Sequence, residues 1–207
     1  MKALIYEKHG ADVLEYRDVP DPTPGLRDVV IKVAATTVNN LDATQRNGWF
    51  TMPGFELPHI SGMDVVGTIV EVGSEVSSVR LGERVIVDPS LTNVPENSKL
   101  SGRGDLYGEL GVIGANVDGG YAELCLVPDT HVYPIPDELS WHQAATFPTA
   151  WMTAHHALFD VAQLRKGEVV MIHAAGSGVS MAGIQLAKNA GATVLATAGS
   201  EGKCEKA

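Results

Sequence analysis

The stretch from Gly167 to Thr197 constrains the fold more than any other part of the chain. Val169 to Ile172 is a buried-strand run. It meets a turn of small residues, Ala174-Ala-Gly-Ser-Gly178, and then an apolar stripe at helical spacing formed by Met181, Ile184, Leu186 and Ala187. Gly191 stops the helix, and Val194 to Thr197 reads as a second strand. Strand, tight turn, helix and strand make a βαβ unit with a phosphate-cradling turn. The chain closes where the next helix would begin.

A dinucleotide-binding turn needs small residues at three places: for the tight turn, for backbone approach to the pyrophosphate, and for packing of helix on strand. Counted back from the helix these are Ala175, Ser177 and Ser180, with Gly176 and Gly178 keeping the loop permissive and Val179 opening the helix. The helix start offers unpaired N–H groups to an anion. The same residues also suit a plain tight turn, and the strand–turn–helix–strand context favours the dinucleotide. An NAD site usually carries a carboxylate at the tip of the second strand. Here the tip reads Thr197, Ala198, Gly199, Ser200, so Ser200 and Lys203 are placed to receive a 2′-phosphate and NADP (as NADPH) is favoured. Ser200 also suits a helix cap, with Lys203 solvated. With Thr153 upstream, these residues form the expected cofactor-binding set.

The rest of the chain bounds the answer. Its 207 residues hold one large or two small domains, and 44% hydrophobic with 19% charged content is ordinary for a globular protein. A net charge of −10 argues against nucleic acid or an anionic membrane as partner. No apolar stretch approaches bilayer length and no signal peptide is visible. Two cysteines, Cys125 and Cys204, suit a reducing compartment, so the expected location is cytoplasmic. Short β-branched runs, Lys2 to Glu7, Val29 to Val38, Val65 to Val72, Arg84 to Val87, Ala122 to Val127 and His131 to Ile135, predict a barrel or sandwich. Asn40 to Asn47 predicts a short helix ended by Gly48. Residues 88–118 lack periodicity and read as a long lobe. Ser140 is a helix N-cap, and Trp141 to Gln163 has helical patterning interrupted at Pro148. The expected domains are therefore 1–139 and 140–207.

Three stretches, Ser61-Gly-Met-Asp-Val-Val-Gly-Thr-Ile-Val-Glu-Val-Gly73, Gly82-Glu-Arg-Val-Ile-Val87, and Gly111-Val-Ile-Gly114 through Asp118-Gly-Gly-Tyr-Ala-Glu123, join the βαβ unit in a wider resemblance. The chain resembles the medium-chain dehydrogenase/reductase superfamily of zinc alcohol dehydrogenases and quinone oxidoreductases. The resemblance covers all 207 residues. It implies a GroES-like β-barrel catalytic domain followed by the first βαβ half of a Rossmann fold. It also implies that the catalytic zinc ligands of zinc-dependent relatives fall on Asn39, Met63 and Thr149. Asn, Met and Thr do not make a zinc site, which needs imidazole, thiolate or carboxylate. The four closely spaced cysteines of the structural zinc lobe are absent between Asp88 and Asp118, and the lobe is expected to be mobile or to serve oligomer contacts. No metal is expected.

Asn39-Asn-Leu-Asp42 in place of Cys-x-x-Asp is similar to the quinone oxidoreductase and enoyl reductase branches. The resemblance implies hydride transfer from NADPH to a quinone or an α,β-unsaturated carbonyl, acceptors that conjugation polarises without a Lewis acid. Asn39 is the candidate for orienting the acceptor or the nicotinamide amide, or it caps the following helix. Asp42 takes a supporting place, holding Arg46 or backbone. Trp49 and Phe50, with Thr149, fall where the family lines its substrate cleft, and core packing is the rival reading for the two aromatics. Family members continue past this point, so the second half of the Rossmann sheet is expected to be missing. That leaves an apolar face suited to self-association as a homo-oligomer. A zinc-free alcohol dehydrogenase, or an inactive fragment serving as a binding or oligomerising module, stands as the alternative to a reductase of small molecules.

Overall fold

Alternation of aliphatic with polar side chains builds the first two-thirds of the chain into short strands, as expected of its β-branched runs. A computed structural model describes residues 1–101 and 111–205. Strand β1 (Lys2–Ile5) pairs antiparallel with β2 (Glu15–Asp18). The second of these, Glu-Tyr-Arg-Asp, is too polar to announce itself as a strand; pairing with β1 creates it. A five-stranded antiparallel sheet follows, built from β3 (Asp28–Ala35), β4 (Val66–Val72), β5 (Arg84–Val87), β8 (Leu124–Pro128) and β9 (Val132–Pro134) in the order β8-β3-β4-β5-β9. Between β5 and β8, the two-residue strands β6 (Ser90–Leu91) and β7 (Gly111–Val112) pair with each other.

One face of this sheet supplies the core. Val29 and Ile31, Val65 and Ile69, Val85 and Val87, Cys125 and Val127 meet there with Leu91, Leu100, Ile113 and Val132. Each such aliphatic side chain contributes about 1.5–3 kcal/mol relative to exposure. On the other face Val66 packs against Ala144 and Ala145 of α2 (Trp141–Ala145). Burial on both faces at the start of β3 explains the continuous apolar run Val29–Ile31 there. Helix α2 starts where expected: Ser140 Oγ accepts the Gln143 N–H at 3.3 Å, and Gln143 Oε1 accepts the Ser140 N–H at 3.1 Å. The short helix α1 (Asn40–Arg46) lies between β3 and β4 and is followed by Gly48 at φ +75°.

The chain forms two compact units, Met1–Pro148 and Thr149–Ala207. Pro148, which lacks an N–H, sits in a wide helical turn, Phe147–Trp151, followed by α3 (Met152–His155) and a second wide turn, His156–Val161. In the second unit β10 (Val169–Ile172) pairs parallel with β11 (Thr193–Ala196), and α4 (Gly178–Asn189) connects them. Helix α5 (Glu201–Cys204) ends the described chain. The α4 face differs from the expected stripe: Ala182, Gly183 and Ala187 are buried, Ile184 and Leu186 half-buried, and Met181 is exposed. Gly183 lies against Ile172 and Ala154, where an added Cβ would make ordinary van der Waals contact at 3.5 and 3.9 Å.

The lobe expected over 88–118 lies partly outside the described residues, at 102–110. Its described base is pinned. Buried Asp28 accepts the Gly25 N–H at 2.9 Å, the Lys99 N–H at 2.8 Å and the Ser98 hydroxyl. No helix among the described residues is long and apolar enough to cross a membrane.

Candidate functional site

The first cluster of expected residues forms where two glycine-containing segments touch. Gly62 has φ +106° and Gly114 φ +79°, and a Cβ on Gly114 would lie 2.3 Å from the Gly62 carbonyl carbon. The contact lets the Gly120 N–H reach Gly62 O at 2.8 Å and the Tyr121 N–H reach Ser61 O at 2.9 Å. Tyr121 and Asp64 are thereby carried to the start of α1.

Asn39 is the N-cap of that helix, with extended backbone at φ −111°, ψ 155°. Asp42 Oδ2 accepts its N–H at 2.7 Å, a reciprocal cap within the first turn. Asn39 Nδ2 donates to Asp64 Oδ2 at 2.8 Å, and the Thr37 hydroxyl donates to the same oxygen. Tyr121 Oη lies 2.9 Å from Asp42 Oδ2 and 3.1 Å from the Thr37 carbonyl oxygen. Asp42 and Asp64 are 7% and 2% exposed. Burial first pushes the Asp42 carboxyl above the ordinary carboxylate range; the Asn39 N–H and Tyr121 hydroxyl oppose this, and Asp64 adds to it. Burial, then Asp42, holds the Tyr121 phenol well above its ordinary range.

Asn39 and Asp42 are therefore brought together: Asn39 caps α1, as one of its two readings has it, and its amide is held by Asp64. Asp42 holds backbone and Tyr121 rather than Arg46, whose buried Nε lacks a partner. Met63 is buried. Trp49 and Phe50 follow Gly48 and are 78% and 54% exposed, so core packing is not their role. Sequence reasoning missed Asp64 and Thr37; the only available signal was the acidic residue beside Met63 in the Ser61–Gly73 stretch. A larger cavity of about 840 Å³ lies elsewhere in this unit, lined by Ile5, Val19, His59 and Cys125 among others, and includes none of these residues.

In the second unit a cleft of about 570 Å³ joins the turn 174–177, one side of α4 at Met181, Ile184 and Gln185, and the end of β11 at Ala198, Gly199 and Lys203. Ala174 adopts φ +54°, and the Ala175 N–H donates to Thr197 O at 2.9 Å, tying the turn to the second strand tip. The Met181 N–H makes the first intrahelical bond of α4, to Ser177 O at 2.8 Å, which leaves the Gly178, Val179 and Ser180 N–H groups at the helix start. Of the expected residues, Ala175, Gly176, Ser177 and Lys203 line the cleft. Gly178, Val179 and Ser180 begin α4 just beyond it, and the Ser180 hydroxyl donates to His173 O at 2.8 Å.

Ser200 caps α5 with its carbonyl oxygen, which accepts from the Lys203 and Cys204 N–H groups at 3.0 Å; its hydroxyl makes no cap bond. Thr153 is exposed on α3 and Thr149 half-buried in the wide turn, and neither lines the cleft. His173 Nδ1 lies 3.0 Å from Thr197 Oγ1, clipping the two strand ends, a contact that the scattered histidines of the sequence did not signal. Among the described residues no three His, Cys, Asp or Glu side chains are grouped to hold a metal ion.

This sheet, this glycine contact and this βαβ unit define a dehydrogenase-type architecture. Residues 25–137 match the alcohol dehydrogenase GroES-like domain. The chain belongs to that family and, with it, to the medium-chain dehydrogenase/reductase superfamily. It is 36% identical over 203 residues to the quinone oxidoreductase of Mus musculus, covering 97% of this chain and 53% of that protein. Among solved structures, an NAD-dependent alcohol dehydrogenase shares 37% identity at a TM-score of 0.89, over 100% of this chain and 60% of the other. CurK enoyl reductase shares 27% at 0.80, over 99% of this chain and 56% of the other. The chain spans about half the length of the curated relatives it matches.

Proposed function

We propose that this chain is part of an NADPH-dependent reductase of the quinone oxidoreductase and enoyl reductase type, passing hydride to a quinone or an α,β-unsaturated carbonyl without zinc. One observation carries the reading: at the place of a zinc ligand, the Asn39 amide is held by Asp64 at 2.8 Å. An amide so engaged, a buried thioether at Met63 and a hydroxyl at Thr149 lack the donor chemistry that zinc requires. A conjugated acceptor needs orientation and hydrogen bonding rather than a Lewis acid.

The second unit fits the nucleotide. A Cβ on Gly176 or Gly199 would meet nothing within 4 Å, so the cleft floor is open to a ligand. The turn 174–177 and the first N–H groups of α4 suit a pyrophosphate. Lys203, with no carboxylate at the β11 tip, suits a 2′-phosphate. When bound, NADPH supplies the hydride; the chain's own residues bind and orient. Trp49 and Phe50 offer flat apolar surface to a ring. The exposed face of Val169, Met171 and Leu195 supports a homo-oligomer, and two free cysteines support a cytoplasmic setting.

Calorimetric titration with NADPH, and with NADH for comparison, tests the reading. Saturable binding with NADPH tighter supports it. Tighter NADH binding favours an alcohol dehydrogenase like the solved NAD-dependent neighbour. No heat with either cofactor assigns the chain to the binding or oligomerising alternative.

A further inference from the structure

We infer that Asp42 is a neutral carboxylic acid in the folded chain, a positioning residue whose proton completes a chain from Asp42 through Tyr121 to the Thr37 carbonyl. The inference deepens the proposed function by giving the charge state beside Asn39, and it rests on that reading only for its consequence in catalysis.

The hydrogens available around Tyr121 carry this assignment. Tyr121 has one hydroxyl hydrogen and faces two oxygens, Asp42 Oδ2 at 2.9 Å and Thr37 O at 3.1 Å. A backbone carbonyl only accepts, so with Asp42 ionised one of the two contacts sets oxygen against oxygen with no hydrogen between. A proton on Asp42 Oδ2 resolves this: the carboxylic acid donates to Tyr121 Oη, and Tyr121 donates to Thr37 O. The Asp42 oxygen still accepts the Asn39 N–H. The other oxygen, Oδ1, is buried without a hydrogen-bond partner, a poor place for half of a negative charge.

Around Asp42, burial and then the facing carboxyl group of Asp64 favour the neutral acid, while the Asn39 backbone, the Tyr121 hydroxyl and the Gly62 backbone act the other way. Arg46 bears on Tyr121 without pairing with Asp42. Asp64 Oδ2 accepts from the Thr37 hydroxyl and the Asn39 amide, whereas Asp42 Oδ1 accepts from neither.

Carboxyl-carbon NMR of the chain, labelled at aspartate and followed from about pH 3 to about pH 9, tests this without any cofactor. The expected result is one aspartate titrating above the ordinary range, absent in Asp42→Asn and moved downward in Asp64→Asn. If every aspartate titrates in the ordinary range, or the high-titrating one persists in Asp42→Asn, the inference is overturned. Should Asp42→Asn fail to fold, the downward move in Asp64→Asn decides; no move there also overturns it. In an active enzyme, ionisation of Asp42 gives a loss of kcat/KM as pH rises, which Asp42→Asn removes. Absence of reductase activity would defeat the proposed function and leave the NMR result standing.

Discussion

Asn39 and Asp64 lie 25 residues apart, yet the Asn39 Nδ2 reaches Asp64 Oδ2 at 2.8 Å. The contact fixes which end of the amide faces the carboxyl group, because turning Oδ1 toward it would set acceptor against acceptor. Asp64→Ala leaves the Asn39 amide and the Thr37 hydroxyl without this partner. The expected loss is about 1–3 kcal/mol of unfolding free energy, read from the urea midpoint. Asp64→Asn should retain more of it. Equal stability of Asp64→Ala and the parent chain would remove Asp64 from its supporting role.

Gly114→Ala tests the backbone contact that brings the two motifs together. The new methyl would sit 2.3 Å from the Gly62 carbonyl carbon on a backbone at φ +79°. Backbone cannot swing aside as a long side chain can, so a loss of about 3 kcal/mol or more is expected. Gly82→Ala, also at positive φ but with nothing within 4 Å, should cost only the conformational part, about 1 kcal/mol. Similar losses for the two would show that the close approach carries no weight.

Arg27 and Asp129 form a bidentate pair, with Arg27 Nη2 2.8 Å and Nε 3.1 Å from Asp129 Oδ2. Asp129 is 1% exposed at its side chain, and the Ser78 hydroxyl also donates to it, at 3.2 Å. Arg27→Ala leaves that buried carboxyl group with the Ser78 hydroxyl as its side-chain partner, and a clear fall in the denaturant midpoint is expected. Lys2→Ala, whose partner Asp18 is exposed, should move the midpoint far less.

His59 predicts a pH dependence of defined sign. Burial lowers its pKa below the ordinary 6.5, against the Gly114 carbonyl and Asp118. The folded chain therefore binds fewer protons than the unfolded chain between the lowered value and 6.5. This contribution to stability is full above that window and is lost as pH falls through it. Asp42 acts in the opposite sense, since its raised pKa makes stability fall as pH rises above 3.8. Comparison of variants separates them: His59→Gln should flatten the acid side of the stability profile and Asp42→Asn the side toward neutrality. An unchanged profile in His59→Gln would count against its burial as the neutral form.

Lys203 should carry cofactor choice. Lys203→Ala is expected to weaken NADPH binding about tenfold while leaving NADH within about twofold, by calorimetry, because only the former bears a 2′-phosphate. Parallel losses for both cofactors would place the lysine on the shared part of the nucleotide.

The sequence by itself determined the βαβ unit, the run of barrel strands, the Ser140 cap and the stop at Gly191. Each depends on local chemistry: period of side chains, turn residues and caps within a few positions of one another. It also located the turn at Ala175–Ser177, because small residues are required wherever backbone must come close. Tertiary structure decided the rest. β2 exists because β1 offers it a partner, and the packing of α4 against β10 and α3 decides which of its faces is buried, with Ala182 and Gly183 inside and Met181 exposed. Asp64, Thr37 and Tyr121 were not legible as one network, since no local pattern links residues separated by dozens of positions. The Gly62–Gly114 contact, an approach that side chains would block, helps to gather those polar groups around Asn39 and Asp42.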